Sequence, residues 1–243
     1  MKTKVKHVMT KGATYAYDEA AEMVLHSSMA KHLVLQCYEF SLCCFVNFDC
    51  EISKSEYLNG FYLFIEMDDF DGAEQYLDKV IKNIEKRTNR LEIVSDFYNK
   101  VINIYEEKVE KDLSNQFINK YKFKHAQYLF VVEEYDKVSH LLQEVIKKNR
   151  KSNCDQKLTE SSCVYACLVA ILTDGPDAQG QIDNICNLWS DFEECKQYSV
   201  VNSIVESLQN NDIGGLEKAV KSLSIDKDKV AMFNARVMDL IET

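Results

Sequence analysis

The chain has 243 residues, 46% of them hydrophobic, which is enough to bury the core of one or two domains. One proline and seven glycines are too few for the frequent turns of a β-protein or the tight βα turns of a doubly wound sheet, so the composition predicts an all-α protein. The formal net charge of −10 argues against bulk nucleic-acid binding, which requires clustered cations to neutralise phosphates.

The first fifty residues predict two helices, one from Asp18 to about Leu35 and a second through Phe48. The apolar stretch of the second helix is interrupted by Gln36 and Glu39 and is too short to span a membrane. No apolar segment of a secretory signal follows the basic start of the chain. We therefore expect a cytoplasmic protein with reduced cysteines.

A segment in the middle of the chain is repeated. The copies are YLFIEMDDFDGAEQYLDKVI at Tyr62–Ile81, YLFVVEEYDKVSHLLQEVI at Tyr128–Ile146 and a weaker IVESLQNNDIGGLEKAVKSL at Ile204–Leu223. Phe70, Tyr135 and Ile213 occupy the equivalent position at the turn of each copy. Repetition on this scale is typical of stacked helical hairpins, which bury their apolar faces against their neighbours.

Apolar residues spaced by three or four predict further helices around these copies. The expected helices lie at about 58–67, 73–86, 92–111, 117–132, 137–148, 160–172, 177–189, 195–208, 216–223 and 227–241. Gly214 and Gly215 predict the third turn, and the polar segment Lys147–Lys157 predicts a flexible connector. We place a helical-hairpin repeat region at 1–150 and a C-terminal helical bundle at 151–243, packed as one continuous unit.

Residues able to carry out catalysis or bind a metal form no recognisable motif. Asp68, Asp69 and Asp71 lack the ligand spacing of a calcium loop, because Gly72 comes too early, and they are typical of a solvated turn. The cysteines lack the paired spacing of a zinc site, and no glycine-rich phosphate loop is present. We expect no metal, no cofactor and no enzymatic activity, although a catalytic site formed only in three dimensions stays an alternative.

Basic residues gather near the ends of the predicted helices. The clusters are Lys82, Lys86, Arg87 and Arg90; Lys120, Lys122 and Lys124; and Lys147, Lys148, Arg150 and Lys151. One interpretation is an ordinary solvated helix end, where cations complement the helix dipole. The other is that successive hairpins place the clusters along one edge, as a discontinuous basic stripe for an elongated acidic partner.

Several short segments have counterparts in one family of helical proteins. They are Met29-Ala30-Lys31, Asn103-Ile104-Tyr105-Glu106, Ala166-Cys167-Leu168, Trp189 to Lys196 (WSDFEECK), Ile204-Val205-Glu206, Ala219-Val220-Lys221 and Ser224-Ile225-Asp226. In this order they resemble the SNAP family, the soluble adaptors that bring the ATPase NSF to SNARE complexes. The chain departs from the family in being shorter, and the interval from Glu106 to Lys122 is expected to lack one helix.

The resemblance implies a superhelical stack of TPR-like helical hairpins ending in a C-terminal helical bundle. It also implies a SNARE-contact edge and an ATPase-contact end. The SNARE-contact candidates are Lys82, Lys86, Arg87, Arg90, Lys120, Lys122, Lys124, Lys147 and Lys148, and the ATPase-contact candidates are Glu194, Glu206, Asp239, Leu240 and Glu242. Two further carboxylates usual after Glu206 are replaced by Gln209 and Asn210, which predicts weaker ATPase recruitment. The family's apolar membrane loop has its nearest match at Phe45–Phe48, where buried core is the preferred interpretation.

Three functional hypotheses follow. The first is a SNAP-like adaptor that binds the SNARE four-helix bundle and recruits an NSF-type hexameric ATPase in vesicle fusion and trafficking, with peripheral membrane contact. A variant of it is a SNARE-binding competitor that does not stimulate the ATPase. The second is a generic TPR-like scaffold that holds a peptide in its groove. The third is an all-helical enzyme, which requires a deep pocket with perturbed ionisable groups.

Overall fold

The computed structural model describes residues 53–87, 91–152 and 155–242, and over these ranges the protein is all-α, as its composition predicted. The predicted helices at Asp18–Leu35 and through Phe48, and the cation Arg90, lie outside the described residues. Contacts divide the chain into two compact units, one up to Val109 and one from Glu110. The division predicted at residue 150 stays a prediction.

The helices are named here in chain order. In the first unit they are α1 (Ser53–Glu66), α2 (Phe70–Arg87) and α3 (Leu91–Lys108). In the second unit they are α4 (Lys111–Val131), α5 (Tyr135–Ser152), α6 (Gln156–Asp174), α7 (Gln179–Leu188), α8 (Lys196–Gln209), α9 (Ile213–Val220) and α10 (Lys227–Glu242). Two short 3-10 helices at Gly175–Asp177 and Ser190–Glu194 flank α7.

The three repeated segments share one backbone turn. A residue with positive φ ends the first helix of each hairpin, and these residues are Asp68 (53°), Glu133 (67°) and Asn211 (52°). The next amide donates to a carbonyl five residues earlier, in the pairs Asp69–Phe64 (2.9 Å), Glu134–Leu129 (3.0 Å) and Asp212–Ser207 (2.8 Å). This bond is the Schellman closure of a helix end. The sequence repeat is therefore also a structural repeat.

The second helix of each hairpin begins at the residue that the repeat placed there. Phe70, Tyr135 and Ile213 are the first residues of α2, α5 and α9. The equivalent apolar residues of the first two copies are buried, and they are Leu77 with Leu142, Val80 with Val145 and Ile81 with Ile146. The expectation that these residues form hairpin core is confirmed.

Three sequence predictions are corrected by the helix bounds. Gly214 and Gly215 lie within the first turn of α9, because Asn211 adopts the left-handed backbone itself. Helix α4 begins at Lys111, earlier than the start predicted at about residue 117, and the expectation that the interval from Glu106 to Lys122 lacks one helix stays a prediction. The flexible connector predicted at Lys147–Lys157 is wrong over 147–152, since α5 continues to Ser152. Lysine and arginine are good helix formers and favour a helix C-terminus.

Gly72 is required by close packing in the first hairpin. Asp69 caps α2 by accepting a hydrogen bond from the Gly72 amide at 3.2 Å. A Cβ at Gly72 would lie 2.7 Å from Asp69 Oδ2 and 2.8 Å from two carbons of the buried Phe64 ring. We expect Gly72→Ala to lower the free energy of unfolding by about 1–3 kcal/mol, because a buried ring must shift. Urea unfolding measures the change.

Gly180 provides the matched control for this substitution. It lies in the first turn of α7, and a Cβ there meets nothing within 4 Å. Gly180→Ala is expected to leave the stability unchanged or to raise it by up to about 1 kcal/mol, because alanine loses less backbone entropy in a helix. Equal stabilities for the two variants would contradict the packing argument.

Helix α6 is the centre of the second unit. Ser162 to Ile171 form a continuous buried run on it, and α4, α5, α7, α8 and α10 all pack against it. A helix buried on all sides lacks an amphipathic pattern, as the apolar sequence of this segment indicates. In the described part of the chain, no helix combines the length and apolar character that crossing a bilayer requires.

Candidate partner-binding surfaces

Three of the four predicted SNARE-contact residues of the first unit lie on α2, the second helix of the first hairpin. Lys82 is exposed on α2. Lys86 and Arg87 belong to the last turn of the same helix, but the structure does not describe their side chains. Arg90 lies outside the described residues altogether. Lys82 is therefore the member of this cluster that the structure places at the surface.

The cluster at Lys147 and Lys148 is fully at the surface. Both side chains are exposed and lie toward the C-terminal end of α5. Cations in this position complement the partial negative charge of the helix end. Because both side chains are exposed, an acidic partner can reach them.

The cluster on α4 has a different environment. Lys120 and Lys124 are half-buried, and the Lys124 Nζ lies 5.3 Å from the centre of the Tyr121 ring, within the range of a cation–π contact. Lys122 forms an ion pair with Glu144 of α5, with 2.5 Å between Nζ and Oε2. The lysine side chain is 13% exposed and the glutamate side chain 38%. Lys122 therefore joins the two helices of its own hairpin.

The ion pair also determines the charge state of Glu144. The hydrogen bond from Lys122 lowers the pKa of the Glu144 carboxyl below its usual value, and the charges of Lys122, His140 and Lys148 act in the same direction. Partial burial opposes this shift. The basic residues of α4 and α5 thus surround an ionised glutamate, which reduces the net positive charge on this face of the hairpin.

The predicted ATPase-contact residues lie on three separate elements of the second unit. Glu194 ends the 3-10 helix at Ser190–Glu194, and Glu206 lies on α8; both side chains are exposed. Asp239 is exposed and Leu240 half-buried near the end of α10. Glu242 is the last residue of α10, and its side chain lies outside the described set. The 3-10 helix packs against α8.

The two residues that replace the expected carboxylates use their amides within the fold. The Gln209 Nε2 donates to the Pro176 carbonyl oxygen at 2.9 Å, and the Asn210 Nδ2 donates to the Glu206 carbonyl oxygen at 2.8 Å. Asn210 also ends α8 as its C-cap. These amides stabilise the end of α8 and carry no charge, so they add no negative charge to the surface beside Glu206.

The described cysteines of the second unit are buried or partly buried. Cys163, Cys167 and Cys186 are buried free thiols, and Cys195 is half-buried. Burial raises the pKa of each of these thiols, that of Cys186 to about 11. A thiol with a raised pKa is a poor nucleophile and a poor metal ligand. Among the described residues, no group of three or more His, Cys, Asp or Glu side chains could hold a metal ion.

A polar cavity of about 210 Å³ lies where the ends of α5, α6 and α7 meet. Its lining residues are Asn149, Arg150, Asp155, Gln156, Thr159, Trp189, Ser190 and Asp191. The Asp155 carboxylate caps α6 by accepting from the Leu158 amide at 2.9 Å, and Arg150 donates to the Leu188 carbonyl oxygen at 3.2 Å. No histidine is among the lining residues, so the cavity lacks the usual general base.

Comparison with known families favours the adaptor hypothesis. A family model described as soluble NSF attachment protein, SNAP, matches residues 4–235. The chain belongs to the SNAP family. It is accordingly a SNAP-like adaptor protein with the family's helical fold, and the resemblance predicted from the short segments is confirmed.

Arg236 of this SNAP-family chain belongs to none of the residue clusters predicted from the sequence. Arg236 on α10 makes four contacts with the turn between α4 and α5, at distances of 2.7 to 3.1 Å. The signal available in the sequence is its position between Phe233 and Val237, which face the core. An isolated arginine on the apolar side of an amphipathic helix indicates a specific polar partner.

Proposed function

We propose that this chain binds the assembled SNARE four-helix bundle and recruits an NSF-type hexameric ATPase to it, as an adaptor for SNARE disassembly in vesicle trafficking. The family match over residues 4–235 carries the proposal. The adaptor acts by binding and positioning and performs no catalysis itself. It would work in the cytoplasm, with peripheral contact to membranes and no nucleic-acid partner.

The distribution of exposed charges supports separate binding surfaces for the two partners. The exposed cations Lys82, Lys147 and Lys148 lie toward hairpin ends, whereas the exposed carboxylates Glu194 and Glu206 lie in the C-terminal part of the second unit. An acidic SNARE bundle would meet the cations, and a basic domain of the ATPase would meet the carboxylates. Lys122 is the weakest SNARE-contact candidate, because its charge is already paired with Glu144.

Charge reversal at Lys147 and Lys148 tests the SNARE contact. The double variant Lys147→Glu, Lys148→Glu is expected to bind an assembled SNARE bundle about tenfold more weakly at about 50 mM salt, because two attractive contacts become repulsive. The difference from wild type should shrink as salt is raised, since exposed charges are screened. A pull-down or titration with purified SNARE bundle measures both effects.

Lys218→Glu, Lys227→Glu is the matched control. Both lysines are exposed, lie on α9 and α10, and give the same change in net charge. This variant should bind the bundle as wild type does if the contact is local. An equal loss in both variants would indicate a general charge effect, and unchanged binding of the Lys147/Lys148 variant would reject the proposed contact.

A second candidate function is that of a SNARE-binding competitor that does not stimulate the ATPase. The observation in its favour is that Gln209 and Asn210 stand where carboxylates were expected and bond to Pro176 and Glu206 within the fold. An ATPase assay with and without SNARE bundle separates the two functions. The adaptor increases ATP hydrolysis and bundle disassembly, whereas the competitor binds the bundle and lowers the disassembly produced by an active adaptor.

A further inference from the structure

The C-terminal helix α10 reaches the turn between α4 and α5 through one side chain. The Arg236 Nη1 donates to the Phe130 carbonyl oxygen at 3.1 Å and to the Tyr135 hydroxyl at 2.9 Å. Its Nη2 donates to the Val131 carbonyl oxygen at 3.0 Å and lies 2.7 Å from the Glu133 Oε1. A single guanidinium thus contacts four residues that are about one hundred positions earlier in the sequence.

Arginine suits this position for reasons of geometry and charge. The carbonyls of Phe130 and Val131 belong to the last turn of α4, where carbonyl groups lack partners within the helix. A cation there complements the helix dipole, and the planar guanidinium offers five donors in a fixed arrangement. The Arg236 side chain is 21% exposed, so these contacts are only partly weakened by solvent. A lysine would supply the charge without the fork of donors.

The α4–α5 turn differs from its two counterparts in its local support. In the other two hairpins, an aspartate caps the second helix by accepting from a glycine amide. The α4–α5 hairpin has Glu134 and Lys137 at these positions, joined by an ion pair of 3.0 Å. Its residue with positive φ, Glu133, is itself paired with Arg236. The α4–α5 hairpin thus lacks the aspartate–glycine cap, and its turn is contacted in addition by Arg236.

Apolar packing and an ion pair also hold the described part of α10. Phe233 and Val237 form its fully buried apolar positions. Near its start, the Lys229 Nζ lies 3.0 Å from Asp226 Oδ2 and 5.8 Å from the centre of the Tyr165 ring. Arg236 follows these contacts along the helix and precedes the carboxylates at its end. It therefore restrains the part of α10 nearest to Asp239.

We propose that Arg236 is a positioning residue that fixes α10 on the α4–α5 turn and thereby places the end of α10 for contact with the ATPase. The second half of this statement rests on the proposed function. The claim that Arg236 fixes α10 on the α4–α5 turn does not rest on that function. Arg236 itself lies just beyond residues 4–235, which the family model matches. The carboxylate at Asp239 would then be presented from a helix whose orientation is set by the hairpin turn.

Hydrogen exchange of the isolated chain tests the positioning. Arg236→Ala should speed amide exchange about tenfold or more in α10 and the α4–α5 turn, with the exchange of α6 unchanged, because local opening becomes easier. Arg236→Lys should give an intermediate rate. Lys227→Ala, which removes an exposed cation of the same helix, should match wild type. Unchanged exchange in the Arg236→Ala variant would overturn the proposal.

Variants at two partners of Arg236 keep the positioning testable if Arg236→Ala itself does not fold. Glu133→Gln and Tyr135→Phe each remove one partner of the guanidinium and leave α10 intact. If Arg236→Ala does not fold, these two variants should still show faster exchange confined to α10 and the turn. Wild-type exchange in both would equally overturn the proposal.

ATPase stimulation tests the functional half. In the folded variants, SNARE-bundle binding should stay at the wild-type level, while the maximal stimulation of ATP hydrolysis falls several-fold and recovers in part with Arg236→Lys. Faster exchange with full stimulation would reject the role in ATPase contact. If the wild-type chain neither binds the bundle nor stimulates the ATPase, the proposed function fails, and the exchange data still decide whether Arg236 positions α10.

Discussion

Lowering the pH from about 8 to about 4 is expected to reduce the free energy of unfolding by about 3 kcal/mol through His125 alone. His125 lies on α4 with 4% of its surface exposed. Burial, with a smaller contribution from the charge of Lys137, lowers its pKa from 6.5 to about 4. Because the pKa is lower in the folded state, the unfolded chain binds more protons as the pH falls below 6.5. The stabilisation is complete above that pH and is lost progressively toward pH 4.

Urea unfolding of wild type and His125→Gln at a series of pH values measures this contribution. Glutamine cannot titrate, so the variant should show a flatter dependence of stability on pH between about 6.5 and 4, whatever its absolute stability. Other acidic groups titrate in both proteins and cancel in the comparison. Equal slopes for the two proteins would show that His125 does not carry the effect.

Reversing the charge of Lys122 is expected to destabilise the second hairpin strongly. Lys122→Glu removes a charge-assisted hydrogen bond to Glu144 and places two carboxylates together at a side chain that is 13% exposed in the wild type. We expect a loss of about 2–3 kcal/mol in the free energy of unfolding, because a partly buried charge is left without its partner. Thermal or urea unfolding gives the value directly.

A charge swap distinguishes the loss of the Lys122–Glu144 ion pair from changes in packing caused by the Lys122→Glu substitution. In Lys122→Glu, Glu144→Lys the opposite charges face each other again, so most of the lost stability should return. Glu144→Gln alone should cost less than Lys122→Glu, because it creates no repulsion. If the swap restores nothing, the pair does not contribute through its charges.

Lys122 is a poor site for testing the SNARE contact. Joint reversal of Lys120, Lys122 and Lys124 would weaken the hairpin as well as any partner contact, since Lys122 is bonded to Glu144. Loss of binding in such a variant would have two explanations. The exposed pair Lys147 and Lys148 changes the surface charge with less effect on the fold, and its binding data are therefore easier to interpret.

The hairpins can be predicted from the sequence because the features that indicate them involve residues that are close together along the chain. Apolar residues at helical spacing and the equivalent turn residues Phe70 and Tyr135 depend on a few neighbouring positions, and both features are confirmed. The family resemblance rested on short ordered segments and is confirmed by the match over residues 4–235. The predicted connector at the charged end of α5 is wrong over 147–152, because lysine and arginine there continue the helix.

The all-α class, the repeat and the family can be predicted from the amino-acid sequence alone, whereas the role of each charged residue depends on how distant segments pack in the folded protein. In the sequence, Lys122 is one of three similar lysines on the same helix. Its ion pair with Glu144 of α5 is visible only in the folded protein. The sequence indicates no partner for Arg236. In the folded protein, α10 lies against the α4–α5 turn, about one hundred residues earlier, and Arg236 contacts that turn. Helix periodicity is set by neighbours along the chain, but the partner of a charge is set by packing between distant segments.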